Sequence, residues 1–241
     1  MVKADMVLDV HCVPSYIGYT RLARAATRLR AAGVPVRLTF RPFQLAPDAP
    51  LDPHPLVTVL KALFGEGAEA YMAHTTGQAA QEGLELKLGR AVVGNSLGAH
   101  LLISRAAAQG RAEAVVERLF RACFTDGLHI GDPAVLREIA AGCGVETAHD
   151  ESRPDGFLLD APEAADELRA EMDRLRTHGV TGVPIFRIGD RVLCGAQTEA
   201  ALFGALCEAL PSAARGGPVR AAAPPLGCTA GRSRVRVGAV R

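Results

Sequence analysis

The chain of 241 residues predicts an α/β fold carrying a helical insertion, on three observations of pattern. An apolar strand, an amphipathic helix and a second apolar strand open the sequence. A helical pattern then runs on for about a hundred residues, too long for a loop of one domain. A helix, two short strands and a last helix follow. A strand, helix and strand of the opening length make a right-handed parallel unit, and the simplest interpretation of the whole order is a helical insertion in the middle of one α/β domain. Residues 1–50 and 150–210 are therefore assigned to the α/β domain, 51–149 to the insertion and 211–241 to a tail.

In order along the chain, Ala4 to Val10 is the first strand, a short apolar run. The helix from Tyr16 to about Ala32 sets Ile17, Leu22, Ala25, Ala26 and Leu29 toward one side and Arg21, Arg24 and Arg28 toward water, and it stops at Gly33. Val34 to Phe40 is rich in β-branched and aromatic residues and reads as the second strand. Prolines make Pro42 to Pro55 irregular. Helices are then expected from Pro55 to Phe64, Ala68 to Glu82, Asn95 to Gln109, Ala112 to Thr125 and Pro133 to Ala141, the last with Asp132 as N-cap and Pro133 at its first position. Glu151 to Gly156 is weakly patterned. A helix from Pro162 to His178 ends at Gly179, and Ile185–Ile188 and Arg191–Cys194 are short strands joined by Gly189-Asp190, a pair suited to a two-residue hairpin turn. Thr198 caps a final helix from Glu199 to Leu210. Beyond Pro211 the composition turns to Ala, Gly, Pro and Arg without apolar periodicity and reads as disordered.

Composition narrows the function. At 49% hydrophobic and 22% charged the chain is of globular type. The net charge of +1 hides an asymmetry: six arginines and no acid lie in 211–241, leaving 21 basic against 26 acidic residues elsewhere. An acidic body argues against a nucleic-acid partner. The sequence enters a strand at once, without signal-peptide features, and offers no window of about 20 apolar residues to span a membrane, so a cytoplasmic location is expected. Cysteines 12, 123, 143, 194, 207 and 228 form no Cys-x-x-Cys pair and no regular framework. In a reducing compartment they are mostly thiols, and no metal site is expected.

Two distant segments carry the chemistry. Cys12-Val13-Pro14-Ser15 places a thiol where the first strand gives way to a helix. There the unpaired N–H groups and the helix dipole stabilise a thiolate. Alone, Cys12 reads equally as a small buried hydrophobe. The second segment, Thr181-Gly182-Val183-Pro184, directly precedes an apolar strand. A thioredoxin-type fold holds a cis-proline at such a position, its preceding backbone lying beside the active thiol.

With these segments, the strings Asp9-Val10-His11-Cys12-Val13-Pro14-Ser15-Tyr16-Ile17-Gly18, Arg41-Pro42-Phe43-Gln44-Leu45 with Pro47, Asn95 with Ala99-His100, Gly179 to Phe186, and Gly195-Ala196-Gln197 make the chain resemble the DsbA family. The resemblance is to its FrnE-like branch, related to kappa-class glutathione transferases and 2-hydroxychromene-2-carboxylate isomerases, and it covers Asp9 to Leu210. It implies a thioredoxin-like fold with a helical insertion domain and thiol–disulfide oxidoreductase activity, with Pro184 as the cis-proline. The family pattern is Cys-Pro-Trp-Cys; here Ser15 stands at the second cysteine, so the resemblance implies a monothiol variant.

A hydroxyl cannot attack the mixed disulfide that Cys12 forms with a substrate, so an external thiol has to release it. The catalytic candidates are Cys12, Ser15 and Pro184, and the substrate-binding candidates are Val183, His11, Phe43, Gln44, Asn95 and His100. Ser15 reads either as a hydrogen-bond partner of the thiolate or as a helix N-cap, and Asn95 either as cleft lining or as a cap. His11 reads as a stabilising imidazolium or as a half-exposed polar residue. Phe43, Gln44 and Leu45 form the expected cleft floor between the subdomains. Cys194 is a candidate resolver or a core filler. No tightly bound cofactor is expected; glutathione or mycothiol is a co-substrate, and the partner is a disulfide-containing protein or small molecule. The sequence specifies no oligomeric state. The alternatives are a glutathione-dependent isomerase or transferase of kappa-class type and a redox-inactive binding protein.

Overall fold

The computed structural model describes residues 1–146 and 162–211; the weakly patterned stretch from Glu151 to Gly156 and the expected disordered tail lie outside the described residues. Four strands form the central sheet in the order β2-β1-β5-β6: β1 (Val2–Leu8), β2 (Val36–Pro42), β5 (Ile185–Ile188) and β6 (Arg191–Cys194). β1 and β2 pair in parallel from Val2 opposite Val36 to Leu8 opposite Pro42, while β5 runs antiparallel to β1 and β6 antiparallel to β5. Val2, Ala4, Met6 and Leu8 all point into the core, the two-residue period of a strand.

β1 stops two residues earlier than the apolar run suggests. The cause is Asp9, whose carboxylate accepts the His11 N–H at 3.2 Å while its carbonyl accepts the Cys12 N–H at 3.1 Å. This Asx-type turn ends the strand and reverses the chain. The helix α1 (Val13–Ala31) then starts earlier than Tyr16, because Pro14 in its first turn has a helical φ built in and no N–H to leave unpaired. Cys12 is the residue at the N-cap, so the N-cap reading of Ser15 is corrected: Ser15 sits inside the first turn with its side chain fully buried. Farther along α1, Gly18 lets the helix approach the strand beneath. A Cβ there would lie 2.9 Å from Phe186 Cζ and 3.2 Å from Pro184 Cγ.

Between β2 and the C-terminal strands come α2 (Leu56–Phe64), α3 (Ala68–Gln81), α4 (Leu97–Ala108), α5 (Ala112–Arg121) and α6 (Pro133–Gly142), the last capped by Asp132 through Ala134 N–H. These agree with the sequence pattern to within a residue or two, except that α5 closes in a π-helical turn, Ala122–Asp126. A ribbon of two residues per strand, β3 (His54–Pro55) with β4 (Val92–Val93), is too short to leave a periodic signal and was not expected. Phe120 and Phe124, carried by α5 and its π turn, stack on Tyr16 of α1 with ring centroids 5.0 and 6.3 Å apart. The helical segment therefore shares its core with the first helix of the sheet layer, which brings α4 against the turn at Asp9. α7 (Pro162–Thr177) packs on β2 and ends before Gly179, whose φ of 87° a side chain rarely adopts. α8 (Glu199–Glu208), capped by Thr198, packs on α1. No helix among the described residues is long and apolar enough to cross a membrane.

Candidate active site

The ends of β1 and α1 deliver Cys12 to the loop that precedes β5. Cys12 Sγ lies 3.5 Å from the Val183 carbonyl oxygen, to which the thiol donates, and the Val183–Pro184 peptide bond is cis. The two segments singled out in the sequence, 171 residues apart, thus meet at the sulfur. The position at the helix N-terminus is the expected one, but the expected depression of the thiol pKa is not found. Burial pushes it up to about 12, against the Ser15 hydroxyl and N–H, which favour the thiolate, and with the Asp9 charge, which opposes it. In the resting site, Cys12 is a thiol.

Ser15 faces that sulfur from within α1. Its Oγ is buried and has no hydrogen-bond partner of ordinary geometry. A donor held without a partner in a dry site is placed to receive charge that develops later.

Behind Cys12, Asp9 is 2% exposed and its second carboxylate oxygen accepts the Leu45 N–H at 2.8 Å. His100, on α4, brings Nε2 to 3.7 Å from the Asp9 carboxylate. Burial alone would raise the Asp9 pKa, but His100, the charge of His11 and the Leu45 N–H together bring it below the usual carboxylate value. His11 is pulled down to about 4, chiefly by burial, so its imidazole is neutral at neutral pH and is no imidazolium beside the thiol. His11 Nε2 and His100 Nε2 are buried without hydrogen-bond partners.

Gln44 and Asn95 use their side chains within the protein. Gln44 Nε2 donates to Asn95 Oδ1 at 3.1 Å and lies 3.3 Å from Ser96 Oγ. Asn95 Oδ1 also accepts the Leu97 N–H at 2.9 Å, an Asx-type turn one residue before the N-cap, which is Ser96 and not Asn95 as one alternative had it, and Nδ2 donates to the Pro47 and Ala49 carbonyls. The pair closes the loop after β2 onto α4. Phe43 packs with Val7 and Ile185 beside Val183, under the Arg176 guanidinium, which lies 5.0 Å from its ring centroid and donates to the Gln44 carbonyl at 2.9 Å.

Thr181, Gly182, Val183, Pro184 and Ile185 line a small cleft of about 90 Å³ together with Cys194 and Gly195. Cys194 is disulfide-bonded, so in this state it offers no thiol to resolve a mixed disulfide. A wider open groove of about 600 Å³ runs along the outer face of α1 between Glu82 and Glu199, and none of the proposed site residues lines it. No cluster of potential metal ligands occurs among the described residues.

Three participants were not singled out from the sequence: Asp9, Arg176 and His129. His129 has a buried, unpartnered Nε2 lying against Gly94 and Gly131. The available signal was strongest for Asp9, an acidic residue at the end of an apolar strand and three residues before the thiol.

The family model for a DSBA-like thioredoxin domain matches residues 3–206. A probable DsbA oxidoreductase from Streptomyces coelicolor is 28% identical, with a TM-score of 0.75 over 96% of this chain and 100% of that one. A 2-hydroxychromene-2-carboxylate isomerase is 19% identical, with a TM-score of 0.60 over 86% of this chain and 96% of its own. The cytosolic disulfide reductase DsbM from Pseudomonas aeruginosa, solved with GSH, is 20% identical, with a TM-score of 0.52 over 86% and 95% of the two chains. The last two likenesses are likenesses of fold. No curated relative matches the sequence.

Proposed function

The chain belongs to the DSBA-like thioredoxin domain family, and from that premise we propose that it is a FrnE-like thiol–disulfide oxidoreductase working through a single cysteine in a Cys-x-x-Ser site. The observation that carries this reading is the Cys12 sulfur 3.5 Å from the Val183 carbonyl, beside a cis-proline.

The chemistry follows from the atoms present. A substrate disulfide enters the small cleft beside Val183, lined by residues of the thioredoxin-like part, 1–50 and 150–210, into which the helical insertion, 51–149, is set. Its chain pairs with the Val183 backbone and takes over the carbonyl that holds the Cys12 thiol. Cys12 sulfur attacks one sulfur of the substrate, a new S–S bond forms, the old one breaks, and the expelled thiolate receives the proton that Cys12 loses. As the thiolate develops, the Ser15 hydroxyl and N–H are its donors. Ser15 cannot attack the mixed disulfide, so an external thiol does, taking the substrate half and returning Cys12 to the thiol. A second external thiol completes the two-electron reduction as a disulfide of the small thiol. No tightly bound cofactor is needed; glutathione or mycothiol is the co-substrate, a disulfide-containing protein or small molecule the partner, and a reducing cytoplasm the setting. His11, His100, Phe43, Gln44 and Asn95 shape the substrate side, the last two by holding the loop.

One observation favours a second reading, a kappa-type glutathione-dependent isomerase or transferase. A protein thiol pushed up to about 12 is poorly ionised at rest, which suits a site that activates the thiol of a bound cofactor instead. Cys12→Ser separates the two. Loss of disulfide reduction and deglutathionylation to background supports exchange at Cys12. Undiminished turnover, with saturable glutathione binding retained, overturns it in favour of the second reading.

A further inference from the structure

The exchange as written above leaves one bond of the protein unused. Cys194, the last residue of β6, is disulfide-bonded. The chain has six cysteines, of which Cys12, Cys123, Cys143 and Cys207 are free thiols, so within this chain Cys194 is left with Cys228, which lies outside the described residues. The Cys194 end of that bond sits at the cleft. Cys194 pairs with Ile185 across the hairpin, packs with Val183 against Val7, Phe43 and Ile185, and lines the same small cleft as Val183 and Pro184. The Gly195 N–H donates to the Pro184 carbonyl at 2.8 Å, and the Val183 carbonyl holds the Cys12 thiol at 3.5 Å. The end of β6 thus joins a second sulfur centre to the loop that holds the first.

The length of the chain lets Cys228 serve both sulfurs. α8 ends beside the hairpin turn: a Cβ on Gly189 would lie 3.3 Å from Ala209 Cβ, and Arg191 pairs with Glu208 at 2.8 Å. Cys194 is one four-residue strand farther on, about 13 Å. The 17 residues from 212 to 228 span up to about 60 Å when extended, enough to reach Cys194 and, once released from it, Cys12. The sequence around Cys228 suits an attacking thiol, since 211–241 hold six arginines and no acid, and nearby cations favour the thiolate. Cys123, Cys143 and Cys207 do not line the cleft, and Cys123 is fully buried. In the reducing setting proposed above, a disulfide is usually transient and catalytic or redox-sensing.

We propose that Cys194 and Cys228 are the resolving pair of this monothiol site, with Cys228 displacing the substrate from Cys12 and then returning to Cys194. With the pair reduced, the Cys228 sulfur attacks the Cys12 sulfur of the mixed disulfide. A Cys12–Cys228 bond forms, the bond to the substrate breaks, and the substrate sulfur leaves with the proton that Cys228 gave up. Cys194 then attacks the Cys228 sulfur: the Cys194–Cys228 bond forms, the Cys12–Cys228 bond breaks, and Cys12 takes the Cys194 proton. Over the cycle the substrate disulfide gains two electrons and two protons, and the pair loses them. Two low-molecular-weight thiols reduce the pair again and leave as their own disulfide. The bonded Cys194 of the structure is the state after turnover. This inference rests on Cys12 being the reacting thiol.

The test is a single turnover of the full chain in wild type, Cys228→Ser, Cys194→Ser and Cys12→Ser. Protein reduced and then freed of reductant is mixed with one equivalent of oxidised glutathione and quenched in acid at intervals. Released glutathione, intact mass and peptide mapping are read. Wild type is expected to release both glutathiones and to end with Cys12 free and Cys194 bonded to Cys228. Cys228→Ser is expected to release one and keep the other on Cys12, and Cys194→Ser to stop at a Cys12–Cys228 bond. The second glutathione should leave wild type on the order of a hundredfold faster than Cys228→Ser, the ratio of a millimolar tethered thiol to micromolar separate chains. The two tail-bond variants remove the same disulfide, so a merely structural bond moves both alike, whereas a resolving pair traps two different species. Equal release from wild type and Cys228→Ser, or a Cys194–Cys228 bond that forms as fast in Cys12→Ser, would overturn the proposal and leave the bond a staple. Both of those results can occur with Cys12 glutathionylated, and they then leave the exchange reading standing. An absence of any adduct on Cys12 in Cys228→Ser overturns the two together.

Discussion

At Cys12, two effects of opposite sign act on one sulfur, and magnitude decides between them. The first turn of α1 and the Ser15 donors stabilise a thiolate, an effect of about 1 kcal/mol for a helix terminus. Removal from water acts the other way and is larger, leaving the thiol near 12. The sequence makes the first effect legible, because a cysteine before a helix can be read from Cys12-Val13-Pro14-Ser15. It hides the second, because Val183, whose carbonyl holds the thiol, comes from a distant position. The same separation explains why Asp9 and Arg176 went unassigned: their partners, Leu45 and Gln44, sit on a proline-rich loop whose path leaves no periodic trace. Ser15 gives the test at this scale. Ser15→Ala removes a donor that favours the ionised sulfur, so the pH midpoint of Cys12 alkylation should rise and the rate at pH 8 should fall about threefold or more. An unchanged profile would mean that the hydroxyl does not reach the thiolate.

Among the elements, the ones with clear starts and stops were legible. Asp132-Pro133 and Thr198 cap the helices they were expected to cap, and Gly189 turns the β5–β6 hairpin with a φ of 57°. The pieces that were not legible, the two-residue β3–β4 ribbon and the π turn after α5, are shorter than one period of any pattern. The helix that matters most to the site is α1, and its depth is set by Gly18. An added methyl would meet Phe186 Cζ at 2.9 Å, closer than carbon atoms pack, with Pro184 Cγ close behind. Gly18→Ala should therefore push α1 away from β5. Overpacking costs roughly 1–3 kcal/mol, against a gain of about 1 kcal/mol in helix propensity. The expected result is a lowered Tm together with faster alkylation of Cys12 as its contact with Val183 opens. A raised Tm with unchanged alkylation would mean that the strand yields and the approach is not what holds the site closed.

For the whole molecule, the fold class followed from the order of elements alone. One parallel pair at the start and one hairpin at the end can share a sheet only if the intervening helices leave it and return, and β2-β1-β5-β6 is that sheet. Sequence pattern did not foretell how closely the helical segment would join it. Phe120 and Phe124 stack on Tyr16, and His100 reaches Asp9, so the segment inserted between β2 and β5 supplies part of the core and packs against the turn of the candidate site. In the proposed function this assembly presents one cysteine for covalent exchange with a disulfide. Its most direct test is to incubate the full chain with oxidised glutathione, quench with acid and measure intact mass, mapping the adduct by peptide digestion with Cys12→Ser alongside. One glutathionyl group on Cys12 is expected, released by added thiol and absent from Cys12→Ser. An unmodified Cys12 under conditions that modify the exposed thiols, or an adduct that persists in Cys12→Ser at the same stoichiometry, would contradict it.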